Sequence, residues 1–121
     1  MTRFLILMAE DDHFRKWDDA DEALRERVFA DFRAFTAAVR ERGSFRGGEA
    51  LAHPDAARTA RAADGDGPRR VTDGPYAETV EQLTGFYLVR SEDLDDLADV
   101  CRILADSEGA IEIRACLKSP E

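Results

Sequence analysis

The chain has 121 residues and a formal net charge of −9, the size of one domain. That charge excludes non-specific nucleic-acid binding and adhesion to anionic membranes, because both need a basic face. No apolar run approaches the roughly 20 residues that span a bilayer, so neither nucleic acid nor membrane is an expected partner.

Arg3 to Met8 is an unbroken apolar run that ends in Glu10-Asp11-Asp12. It is too short for a signal peptide and has no cleavage pattern. It reads as a strand buried on both faces, and therefore central. Residues 21–42 change to a helical period. Leu24, Val28, Phe32, Phe35 and Val39 form one apolar stripe. Asp19 and Glu22 resemble a capping box, and Gly43 suits a left-handed C-terminal cap. Ser44 to Leu51 reads as a second strand, bent or bulged at Gly47-Gly48. Residues 56–62 and 69–72 flank Asp64-Gly65-Asp66-Gly67-Pro68 and read as the arms of a hairpin. Gly85 to Arg90 is the strongest strand, apolar on both faces. Asp93 to about Asp106 forms a second helix with Leu94, Leu97, Ala98, Cys101 and Leu104 inward, capped by Ser91 or Asp93. Ala110 to Leu117 alternates as a half-buried strand. Cys101 and Cys116 make no disulfide framework and read as reduced thiols, which places the protein in the cytoplasm.

The order strand, helix, strand, hairpin, strand, helix, strand is that of an α+β protein. It makes a ferredoxin-like βαβ-βαβ sandwich with an extra hairpin, in one domain over residues 1–121. Helices cover only one face of such a sheet. Phe4, Ile6, Phe86 and Leu88 cannot then be hidden together with Leu5, Leu7, Tyr87 and Val89. A second copy of the chain is the simplest cover, so a homodimer through the sheet face is expected.

Chemistry could reside in a few places. Asp73-Gly74-Pro75 builds a stiff corner through an Asx-turn, a permissive glycine and a fixed proline torsion. The corner presents Asp73 and Tyr76 in fixed directions, or serves only as architecture. Glu78 and Glu81 would share one side if residues 77–83 were helical, and close carboxylates can divide acid and base roles. The plainer reading of the pair is a solvated turn of helix. His13 and His53 sit in loops after the first and second strands, where either could be a general base or an idle surface residue. No His pair has ligand spacing, so no metal and no cofactor are expected. Trp17 could wall a pocket or close the core.

The run Asp73-Gly74-Pro75-Tyr76-Ala77-Glu78-Thr79-Val80-Glu81-Gln82-Leu83, leading into Gly85-Phe86-Tyr87-Leu88-Val89, resembles the signature of the DGPF-type branch of YCII-related proteins. The likeness includes the apolar first strand and Gly48-Glu49-Ala50-Leu51. It implies a ferredoxin-like dimeric α+β barrel and, at family level, a regulatory context linked to sigma factors. Tyr76 stands where that branch usually has Phe, and Val80 where it usually has Lys. Better-studied relatives carry a His on the first helix as part of a proposed catalytic dyad. The matching place here falls near Phe32, so the dyad does not carry over.

Three functions remain open on these residues. The first is a small-molecule-binding protein with a pocket near the Asp73–Tyr76 turn, lined by Glu10, His13, Trp17, His53, Asp73, Tyr76 and Glu78. The second is a lyase- or isomerase-type enzyme with His13 or His53 as base and Asp73 or Glu78 orienting it. The third is an interaction module for a transcription factor.

Overall fold

Two apolar runs pair to make the middle of the sheet. In the computed structural model, which describes residues 2–63, 65–77 and 80–118, β1 (Thr2–Asp11) lies antiparallel to β5 (Glu81–Ser91). Between them in sequence come α1 (His13–Asp19), α2 (Glu22–Arg42), β2 (Gly43–Ala50), a 3-10 turn (Pro54–Ala56), β3 (Arg58–Arg61) and β4 (Arg70–Asp73). The chain continues through α3 (Leu94–Glu108) and β6 (Ala110–Ala115). The four-stranded sheet has the order β2-β5-β1-β6, and every neighbouring pair is antiparallel. β3 and β4 form a separate two-stranded sheet. This is the ferredoxin-like α+β arrangement that the element order predicts.

Helices α2 and α3 cover one face. Phe4, Ile6 and Met8 of β1 alternate inward, as a strand's period of two requires, and meet Val89, Phe35, Val39, Leu97 and Leu104. Phe35, Ile6, Leu104 and Val89 are the largest fully buried side chains. Each contributes roughly 1.5–3 kcal/mol of transfer free energy. Phe35, Phe45 and Tyr87 make a ring cluster with centroids 5.3–6.0 Å apart. The opposite face carries Leu5, Leu7, Phe86 and Leu88, which stay half-buried, with Leu5 facing Leu88 and Leu7 facing Phe86. The two apolar faces exist as expected, but the register groups β5 the other way. Val89 pairs with Phe4 and Tyr87 with Ile6, so these join the helix side.

Several local expectations change. The helix cap is Asp21, whose carboxylate accepts from the Leu24 N–H at 2.8 Å; Asp19 closes α1 instead. Gly43 is extended, not left-handed, because it already begins β2. A glycine is still needed there, since a Cβ would lie 1.8 Å from the Arg90 carbonyl oxygen. His13 is not in a loop but opens α1. Asp12 takes the left-handed conformation just before it, at φ 58°. Glu81 and Gln82 are strand residues, opposite Asp11 and Glu10, so they share no helical side with Glu78. Glu78 itself lies outside the described residues. Leu24 and Leu94, placed on the buried stripes by spacing, are exposed; both sit in the first turns of their helices. Leu117 lies past the end of β6 and is exposed.

Candidate functional site

The carboxyl end of β1 is where the chain concentrates polar groups against the core. A bulge interrupts the β1–β5 ladder between Met8 and Ala9. It leaves Thr84 buried, with its hydroxyl donating to the Met8 carbonyl at 3.3 Å. Beyond the bulge β1 reaches Glu10. The left-handed Asp12 then folds the chain back, so that His13 Nδ1 comes 2.7 Å from Glu10 Oε2. Asp and Asn tolerate that backbone region better than most residues.

A third group arrives from the far end of the chain. Gly109 ends α3 at φ 76°, and a Cβ there would lie 2.8 Å from the Ala9 carbonyl oxygen and 3.1 Å from the Glu10 side chain. This close approach sets the last helical residue, Glu108, against β1. Glu108 is 5% exposed, and its Oε2 lies 4.0 Å from His13 Nδ1. Burial raises the Glu108 carboxyl above the usual range; His13 opposes that shift, Glu10 adds to it, and a hydrogen bond with Thr84 opposes it. The Tyr87 hydroxyl is also raised, first by burial and then by the nearby Glu108 charge. Lys16 Nζ donates to the other Glu10 oxygen at 3.3 Å.

Two concavities meet at this cluster, and both are lined by His13, Trp17, Val28 and Glu108. The smaller, of about 480 Å³, lies between the sheet and the helices. Met8, Phe14, Phe29, Phe32, Tyr87, Gly48 and Gly85 line it, so it is largely apolar. The larger, of about 950 Å³, is a charged trough that includes Glu10, Lys16, Arg27, Asp31 and Asp106. Trp17 stands at the boundary, edge-on to Phe29 at 5.6 Å and beneath the Arg25 guanidinium at 5.0 Å. The Arg25 Nη2 donates to the Trp17 carbonyl at 2.9 Å, fixing the helix that carries the indole.

The residues singled out from sequence therefore separate into two groups. Glu10, His13 and Trp17 come together. His53 lies next to them, 5.0 Å from the Phe14 ring, but its Nδ1 accepts from the Asp55 N–H and caps the 3-10 turn. Asp73 and Tyr76 line neither concavity. Asp73 is exposed and pairs with Arg58 across the β3–β4 hairpin. Tyr76 is 81% exposed. The corner itself is held by its backbone. The Gly74 N–H donates to the Ala57 carbonyl at 2.8 Å, and Thr59 Oγ1 donates to the Gly74 carbonyl at 2.9 Å. Gly74 has φ 100°, a torsion that favours glycine.

Glu108, Tyr87, Thr84 and Phe14 carry much of the site and were not legible as site residues. Tyr87 and Thr84 read as parts of a buried strand. The signal for Glu108 was an acidic residue directly before the glycine that ends a helix. Chemically, a carboxylate on one imidazole nitrogen can orient the ring, share a proton with it, or ligate a cation beside it.

The match to known sequences follows the same span as the fold. The YCII-related domain family matches residues 2–117. The chain belongs to the YCII-related family. An uncharacterised protein of Rhizobium meliloti (strain 1021) is 39% identical over 92 residues, covering 74% of this chain and 73% of that protein. In this YCII-related chain α1, α2, α3, strands β1 to β6 and the Glu10–His13–Glu108 cluster, all among the described residues, lie inside the matched span. Among the described residues, no helix is long and apolar enough to cross a membrane.

Proposed function

We propose that this YCII-related chain, of the DGPF-type branch by its Asp73–Leu83 motif, binds a small organic molecule in the cavity between β5 and α2. One observation carries the reading: a concavity of about 480 Å³ walled by Phe14, Phe29, Phe32 and Tyr87, with His13, Thr84 and Glu108 at one end. That volume and a mainly apolar lining with few convergent polar groups are what small-molecule sites have in common. The ligand is a compact molecule with an apolar body and one oxygen or nitrogen function directed at His13 and Glu108. Native mass spectrometry of gently purified protein tests this. A copurified adduct lost on denaturation, and absent from Ala50→Phe, supports it. No adduct, together with no saturable change in Trp17 fluorescence across a library of small aromatic and aliphatic acids and ketones, overturns it.

The working unit in this reading is a homodimer closed through the open sheet face. Besides the apolar centre, the charge pattern supports a second copy as the occupant. Register places Arg3 and Arg90 toward one end of that face and Glu49 beside Phe86 toward the other, with Arg114 and Glu112 paired to each other between them. A two-fold axis in the plane of the face and across the strands lays the basic end of one copy over the acidic end of the other.

A further inference from the structure

We propose that Glu10, His13 and Glu108 form a binding site for a first-row divalent metal ion such as Zn²⁺ or Mn²⁺. The three side chains come from the end of β1, the start of α1 and the end of α3. Each offers one ligand atom, and these atoms all lie within 4.8 Å of one another. Such ions sit about 2.0–2.2 Å from nitrogen and oxygen ligands. Ligand atoms sharing an ion at tetrahedral or octahedral angles are therefore about 2.8–3.6 Å apart. The spacings at His13 Nδ1, 2.7 Å to Glu10 and 4.0 Å to Glu108, lie either side of that range. Closing on an ion requires the His13–Glu108 pair to draw together and the His13–Glu10 pair to open slightly, with every spacing starting within 4.8 Å.

The chemistry of the cluster also fits a cation. Two carboxylates and a neutral imidazole carry a charge of −2, which a divalent ion balances. The side chains are sheltered, 15%, 21% and 7% exposed for Glu10, His13 and Glu108. Burying a carboxylate as Glu108 is buried is costly without a compensating charge, and an ion supplies one. Imidazole with carboxylates suits zinc, manganese and iron(II), whereas calcium prefers a larger all-oxygen shell. Lys16 holds the second oxygen of Glu10 from outside, an orienting contact of the kind that metal ligands commonly have. Three protein ligands leave coordination positions open toward the concavities, as in sites that bind water or substrate. The inference is independent of what fills the apolar cavity, since it concerns the metal alone.

The competing account is an ion-pair cluster in which a protonated His13 bridges two carboxylates and no metal is needed. Calorimetric titration of the chelator-treated full chain with ZnCl₂ and with MnCl₂ separates the two. The expected result is one ion per chain, with at least tenfold weaker binding in Glu108→Gln and in His13→Gln while their melting curves stay cooperative. Electron paramagnetic resonance of bound Mn²⁺ should lose its immobilised signal in the same variants. Absence of saturable binding overturns the proposal. So does binding that either folded variant leaves unchanged, because the ion would then sit on the acidic surface.

Discussion

Gly109 shows how one residue can set a distant site. Its positive φ and its contact with β1 leave no room for a side chain, and they hold Glu108 against Glu10. Gly109→Ala should therefore destabilise the protein by about 2 kcal/mol or more, read by urea denaturation. The same change should weaken whatever the Glu10–His13–Glu108 cluster binds, because it displaces the helix end. Cys101 makes a second residue-scale test. Burial in the core pushes its thiol up to about 11, far from the range of reactive thiolates. It should resist alkylation at pH 8 in the folded protein and react once the chain is unfolded, as peptide mapping will show. At this scale the sequence was partly readable. Glu10 and His13 stand out as charge at the end of an apolar strand. Glu108 does not, because only the packing of α3 against β1 brings it there. Asp73 and Tyr76 drew attention through a distinctive turn, but Asp73 pairs with Arg58, the turn is bonded to Ala57 and Thr59, and neither residue lines a concavity.

At the scale of elements, hydrophobic periodicity located the two long helices and the central strands because packing and pattern agree there. It failed where an element is short or where tertiary contacts override propensity. α1 has seven residues and no buried side chain, so it shows no apolar stripe. β5 begins at Glu81, ahead of its apolar run, because its backbone continues to pair with β1 past the bulge. The helix caps can be tested directly. The Asp93 carboxylate accepts from the Asp95 and Asp96 N–H groups at 2.8 and 3.3 Å. Asp93→Ala should cost about 1 kcal/mol in thermal or chemical denaturation, and Asp93→Ser or Asp93→Asn should recover most of it. A loss below a few tenths of a kcal/mol would mean that packing alone holds the start of α3.

At the scale of the whole molecule, the open sheet face and the cavity lie on opposite sides of the same strands. Leu5, Leu7, Phe86 and Leu88 form a contiguous apolar centre, and water on that face is costly. Sedimentation velocity should find a dimer at micromolar concentration, and Leu7→Glu or Leu88→Glu should give a folded monomer. If the proposed dimer lays the Arg3 and Arg90 end of one copy over the Glu49 end of the other, raised salt should weaken it. That both sheet faces carry apolar side chains was legible from two strands that are apolar throughout. The assignment of residues to faces was not, since a strand's register depends on its partner and a single bulge resets it. The central claim is that the chain binds its ligand in the cavity between β5 and α2, away from the Asp-Gly-Pro corner. The most direct measurement is ¹H–¹⁵N chemical-shift mapping during titration with small-molecule fragments. Saturable shifts at Gly48, Gly85, Tyr87 and the Trp17 indole, with residues 71–76 unmoved, are the predicted result. Shifts confined to residues 71–76, or none that saturate, would contradict it.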